Sequence, residues 1–84
     1  MRFEVQFTRK ALQALRCMPA SDAARIRGKI DQYASAPESL ANNVKKLVGS
    51  DYLRLRVGNY RVIMLPDGTI LTIVAIGPRG SIYE

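Results

Sequence analysis

The chain has no histidine and no tryptophan, a single cysteine, and only seven acidic residues against thirteen basic ones. Without histidine, and with Cys17 alone, it cannot build a Cys/His zinc centre or an internal disulfide. No cluster of carboxylates stands out to hold a hard cation, so no metal and no cofactor is expected. The longest apolar-rich run, Ile70 to Ile76, is far shorter than the roughly 20 residues that cross a bilayer. The opening Met-Arg-Phe-Glu-Val-Gln alternates charge with bulk and has no signal-peptide core. These absences lead to the expectation of a cytoplasmic protein with no membrane partner. Cys17, between Leu15 and Met18, is expected as a small core or half-buried residue.

What the chain does have is a hydrophobic fraction of 48% in 84 residues, enough for one small globular domain over residues 1–84. It also has a net charge of +6, unevenly spread. Residues 44 to 61 carry Lys45, Lys46, Arg54, Arg56 and Arg61 against Asp51 alone, and Arg79 follows. Such a concentration suits nucleic acid, or an acidic protein that imitates it.

The pattern is clearest over residues 52 to 65, Tyr-Leu-Arg-Leu-Arg-Val-Gly-Asn-Tyr-Arg-Val-Ile-Met-Leu. Two apolar-rich runs flank Gly58-Asn59, a pair suited to a two-residue hairpin loop. That loop pairs Val57 with Tyr60, Arg56 with Arg61, and Leu55 with Val62. Alternation then sends Leu55, Val57, Tyr60, Val62 and Met64 to one face and Arg54, Arg56 and Arg61 to the other. Like charges opposed across strands are destabilising, a cost that an anionic ligand offsets.

Phe3, Val5 and Phe7 alternate with polar residues as a first strand. Thr8 is placed to cap a helix through Met18 that Pro19 ends. Ser21 or Asp22 caps a second helix to about Ser35, with Ala23, Ile26, Ile30 and Tyr33 as its apolar stripe. Gly28 inside it is a weak point that close helix packing would explain. Residues 37 to 51 read as an irregular connection pinned by Val44, Leu47 and Val48. Pro66-Asp67-Gly68 reads as a turn, and Thr69 to Ile76 as a central strand covered on both faces. The expected fold is α+β, in the order β-α-α-β-β-β: an antiparallel-rich twisted sheet with a two-helix hairpin packed on one face. The arginine face of the hairpin is then the open one.

Taken together, these segments resemble the RelE/ParE superfamily of toxins from type II toxin–antitoxin systems, over essentially the whole chain. The resemblance rests on the Phe-Glu-Val-Gln-Phe-Thr-Arg-Lys-Ala-Leu opening, Val44-Lys-Lys-Leu47, the hairpin, and the Gly77-x-Arg79-x-x-x-Tyr83 ending. RelE-like members are ribosome-dependent mRNA endonucleases. The resemblance implies a plasmid-stabilisation-type toxin that inhibits translation, with catalytic roles for Arg61, Arg79 and Tyr83 and RNA-binding roles for Lys45, Lys46, Arg54 and Arg56. It implies as partners a cognate antitoxin, in a heteromeric complex, and mRNA in the ribosomal A site. The chain departs from the family pattern in having arginines at 54 and 56 where well-studied members have lysines, and Pro78 where many relatives have histidine.

Two other functions fit the same resemblance. One is a ParE-like poison of DNA gyrase, although that branch generally lacks the arginine and tyrosine set. The other is a degenerate relative that only binds its antitoxin. The candidate residues also have ordinary readings: solvated strand charge for Arg54 and Arg56, an ion pair with Asp51 or Asp67 for Arg61, a loop charge for Arg79, surface charge for Lys45 and Lys46, and packing for Tyr83.

Overall fold

A computed structural model describes residues 2 to 80; Tyr83 and the rest of the 81–84 segment lie outside the described residues. The described chain forms two α-helices, a short 3₁₀ stretch and one mixed sheet of five strands. Strand β1 is Glu4–Phe7, β2 Val44–Lys46, β3 Leu53–Val57, β4 Tyr60–Asp67 and β5 Ile70–Pro78. Across the sheet the order is β1-β5-β4-β3-β2. Only β1 and β5 run parallel among the described pairings, and the others are antiparallel. The expected α+β architecture is therefore present, with helices against one face.

Helix α1 spans Arg9–Cys17 and α2 spans Ala20–Ser35. Thr8 caps α1 as the sequence suggests: its hydroxyl oxygen accepts from Ala11 N at 3.1 Å. The start of α2 differs from expectation. Pro19 (φ −55°, ψ 143°) occupies the cap position, and neither Ser21 nor Asp22 does. The Pro19 carbonyl accepts the first helical bond, from Ala23 N at 3.0 Å, and the Asp22 carboxylate is engaged by Tyr60 and Arg25, so the helix begins at Ala20. Asp22 in the first turn is instead engaged with the hairpin, as described below.

The core is one cluster between helices and sheet. Ala11 and Leu15 from α1 and Ile26, Ile30, Tyr33 and Ala34 from α2 meet Leu55, Val57, Val62, Met64, Leu71, Ile73 and Ile76 from the sheet. At about 25 cal/mol per Å² of apolar surface, burial of this set is the main favourable contribution to folding. Phe3 stacks on Tyr33 with ring centroids 6.3 Å apart, fastening the entry to β1 against α2. Gly28 faces open space, with nothing within 4 Å of where a Cβ would stand, so close packing does not account for it. Cys17 is exposed rather than half-buried, because the apolar stripe of α1 passes through Leu15 and Met18 and leaves position 17 outside it.

The connection after α2 is more ordered than the sequence suggests. Pro37–Asn43 makes 3₁₀ turns broken at Leu40, and residues 44–46 pair with β3 as the edge strand. Val44 and Leu40 pin this region to the core, whereas Val48 is fully exposed at a loop tip. Strand β4 runs through Pro66 to Asp67, and only Gly68-Thr69 turns. Asp67 and Ile70 flank that two-residue loop as a pair, so the next pair, Pro66 with Leu71, is one that exchanges no hydrogen bond. The missing N–H of Pro66 faces away from β5, beyond the end of β3, where no ladder bond is lost.

Candidate functional site

The hairpin forms with the anticipated register: Val57 opposite Tyr60, Arg56 opposite Arg61, Leu55 opposite Val62. Gly58 takes φ +57°, the left-handed turn conformation that favours glycine. Because Val57 and Tyr60 flank the loop as a bonded pair, Arg56 and Arg61 form the next, more closely spaced pair. Leu55, Val57, Val62 and Met64 enter the core, which leaves Arg54, Arg56 and Arg61 on the face away from the helices.

That face holds a cavity of about 230 Å³ lined by Asn42, Asn43, Lys45, Arg54, Arg56 and Arg61. Strand register explains the lining. Lys45 lies opposite Arg54 across β2 and β3, and Arg56 lies opposite Arg61 across β3 and β4. Gly77 is the neighbour of Arg61 on β5 and adds no side chain there. Arg54 stands opposite Ile63, and Ile63 opposite Ala75; these two are buried outside the helix-side cluster and give this face an apolar strip. Four cationic side chains and two amides therefore converge from three segments, and no carboxylate is among the described residues of the lining. A larger hollow of about 420 Å³ lies along residues 46 to 51, but its lining is one shallow chain turn with no convergent chemistry.

Arg61 is oriented by its own turn. Its Nη1 donates to the carbonyl oxygens of Gly58 at 3.3 Å and Tyr60 at 3.1 Å. The turn itself is tied to the helix layer. The Tyr60 hydroxyl donates to Asp22 Oδ2 at 2.9 Å, and Asp22 Oδ1 lies 3.5 Å from Arg25 Nη2. That hydrogen bond, then burial, then the Asp22 charge hold the Tyr60 phenol above its ordinary pKa, so it stays protonated and keeps donating. Arg25 Nη2 comes within 3.1 Å of where a Cβ on Gly58 would stand. The Tyr60–Asp22 bond that joins the turn to Arg25 carries no local sequence signal, since Tyr60 and Asp22 are 38 residues apart.

The other candidate residues separate. Lys45 is in the cavity, but Lys46 is not: neighbouring residues of a strand face opposite ways, and Lys46 Nζ sits 4.0 Å from Asp51 Oδ1 at the edge. Arg79 follows β5, and its backbone N–H donates to Asn59 O at 2.7 Å, which sets it beside the hairpin turn. It is exposed and does not line the cavity. Tyr83 lies outside the described residues. Asn42 and Asn43 were not anticipated. They reach the cavity because β2 pairs with β3, and a strand of three residues leaves almost no trace in the sequence. Among the described residues, no group of three or more His, Cys, Asp or Glu is gathered as a metal site, and no helix is long and apolar enough to cross a membrane.

Residues 5–83 match the family model described as the ParE toxin of the type II toxin–antitoxin system parDE. The chain is 30% identical over 88 residues to the protein named "Putative toxin RelE1" of Methanocaldococcus jannaschii, covering all of this chain and 98% of that one. Its structure is similar to that of the archaeal RelE–RelB complex from Pyrococcus horikoshii OT3, with a TM-score of 0.82 and 28% identity over 96% of this chain and 99% of that one. The isolated E. coli RelE toxin shares the fold, with a TM-score of 0.76 at 17% identity over 92% of this chain and 84% of that one.

Proposed function

This chain belongs to the ParE toxin family of type II toxin–antitoxin systems and is RelE-like, and from that premise we propose that it is an endoribonuclease that cleaves mRNA on the ribosome. The observation that carries the proposal is the convergence of Lys45, Arg54, Arg56 and Arg61 on one cavity of the sheet face away from the helices. Guanidinium groups hold phosphate oxygens in a two-pronged way, and a cluster of them suits a phosphodiester better than a single point charge does.

In the proposed reaction the ribose 2′-OH loses its proton and attacks the adjacent phosphorus. The bond to the 5′-oxygen breaks, and that oxygen takes a proton, leaving a 2′,3′-cyclic phosphate and a 5′-hydroxyl end. Negative charge builds on the equatorial oxygens in the transition state. Arg61, held in place by the carbonyls of its own turn, is pre-set to meet that charge, which is where fixed donors lower a barrier most. Arg54, Arg56 and Lys45 would hold the flanking backbone. Arg79, beside the turn, would approach the same phosphate, and Tyr83 would stack on a base or assist proton movement. Arginine is a poor base, so the site works mainly by orientation and charge stabilisation. The cognate partner would be a small antitoxin, as RelB is the partner of RelE in the P. horikoshii complex; an acidic or amphipathic segment of that antitoxin would cover the basic face.

The test is cleavage in a translating extract by the wild type, Arg61→Ala and Arg79→Ala, with transcript 5′ ends mapped. Loss of cleavage in the variants is expected. Undiminished cleavage by both would remove the assignment. A second reading, inhibition of DNA gyrase, is favoured by the ParE name of the matching family model. It predicts DNA breaks and filamentation on expression, with protein synthesis continuing.

A further inference from the structure

Strand β5 changes phase in its middle. Leu71 and Ile73 enter the helix-side core, and so does Ile76, an odd number of residues further on. The register shows where the change happens: Met64 faces Ile73, but Ile63 faces Ala75, so Val74 has no partner on β4. Val74 is the extra residue of a β-bulge, a feature that re-aims whatever follows it. After the bulge, Ala75 and Gly77 share the face of Arg61, and Arg79 continues the same phase where its N–H meets Asn59 O. Without the extra residue, positions 75, 77 and 79 would fall in the phase of the helix-covered face.

One residue holds both carbonyls at this point. Successive carbonyls of a regular strand point to opposite edges. Here Ile73 O accepts from the Thr8 backbone N–H at 3.0 Å and Val74 O from the Thr8 hydroxyl at 2.7 Å. The same hydroxyl oxygen accepts from Ala11 N to cap α1. Thr8 thus spends both its donor and an acceptor, joining the first turn of α1 to the bulge.

We propose that Thr8 is a positioning residue of the basic site: through its hydroxyl bond to Val74 O it fixes the bulge, and so decides that the end of β5 delivers Arg79 to the face of Arg61. The assignment rests on the reading of Arg79 as part of the RNA site, and its structural half can be tested apart from that reading. Thr8→Ser keeps donor and acceptor. Thr8→Asp keeps the helix cap but cannot donate to Val74 O, and Thr8→Val keeps neither.

Two readouts are compared in the full-length protein. In amide hydrogen exchange, Arg79 N–H stays protected in wild type and Thr8→Ser and loses protection in Thr8→Asp, while Leu71 stays protected in all. In a translating extract, Thr8→Ser cleaves within about twofold of wild type, whereas Thr8→Asp loses about tenfold or more. In an Arg79→Ala background the Thr8→Asp loss disappears, because Thr8 acts through Arg79. Retained protection of Arg79 in Thr8→Asp, or a loss that adds in full to that of Arg79→Ala, overturns the proposal. A wild type that cleaves no RNA defeats the endoribonuclease reading instead, and the exchange data then decide the bulge assignment by themselves.

Discussion

Arg56 is the position at which the cost of assembling this site can be measured. It is exposed, and among the described residues it forms no hydrogen bond or ion pair, yet it faces Arg61 across the hairpin and stands two residues from Arg54 on the same face. With charged groups splayed to about 7 Å, each repulsion amounts to about 0.6 kcal/mol in water. Arg61, Arg54 and the more distant Lys45 together make about 1 kcal/mol at 10 mM salt, where the screening length is about 30 Å. At 1 M salt that length falls to about 3 Å and almost nothing remains. Arg56→Gln keeps most of the side-chain bulk and removes the charge. It should therefore raise the melting temperature of the free protein by about 4–8 °C at 10 mM salt and leave it unchanged at 1 M. Lys29→Gln, at an exposed position on α2, removes the same formal charge away from the cavity and should leave the melting temperature unchanged at both salt concentrations. A thermal melt followed by circular dichroism at both salt concentrations is sufficient. If Arg56→Gln lowers the melting temperature at low salt, or raises it equally at 1 M, the cluster is not electrostatically strained.

Two further predictions concern the turn that carries Arg61. Tyr60→Phe should lower stability by removing the donation to Asp22. Since the phenol pKa is raised in the folded protein, that contribution is complete below the ordinary tyrosine range and lost as pH rises through the raised value; urea melts at pH 8 and pH 11 should show the gap to wild type closing. Gly58→Ala should cost about 1–2 kcal/mol for an L-residue at positive φ, and Gly58→Asn less. Because Arg25 is a flexible, half-exposed side chain that can move aside, an Arg25→Ala background should recover little of that cost, as a double-mutant cycle in urea would show.

The hairpin was legible because its signals are local: alternation, a Gly-Asn loop, and charge on one phase only. The same locality explains the misreadings. Residues 44–46 form a strand only through pairing with β3, and without that pairing Lys45 and Lys46 look like one basic spot instead of residues on opposite faces. Strand β5 is apolar through Ile70–Ile76, so the phase change at Val74 leaves no mark on its pattern. Ser21 and Asp22 are both good caps by type, but the Asp22 carboxylate is taken by Tyr60, 38 residues away, and by Arg25, while α2 begins at Ala20 after Pro19. Thr8 was visible as a cap, and its second bond, to a residue 66 positions away, was not.

On the proposed function, Lys45, Arg54, Arg56 and Arg61 act as one phosphate-binding cavity and Lys46 stands outside it. Binding of a short 2′-O-methyl single-stranded RNA, which cannot be cleaved by its own 2′-oxygen, measures this directly as a function of salt. Lys45→Ala and Arg56→Ala should each reduce the slope of log K against log salt by about 0.7, the value for one phosphate contact to a single strand. Lys46→Ala should leave the slope of the wild type unchanged. Slopes unmoved by the cavity substitutions, or moved as much by Lys46→Ala, would mean that these side chains do not form one phosphate site.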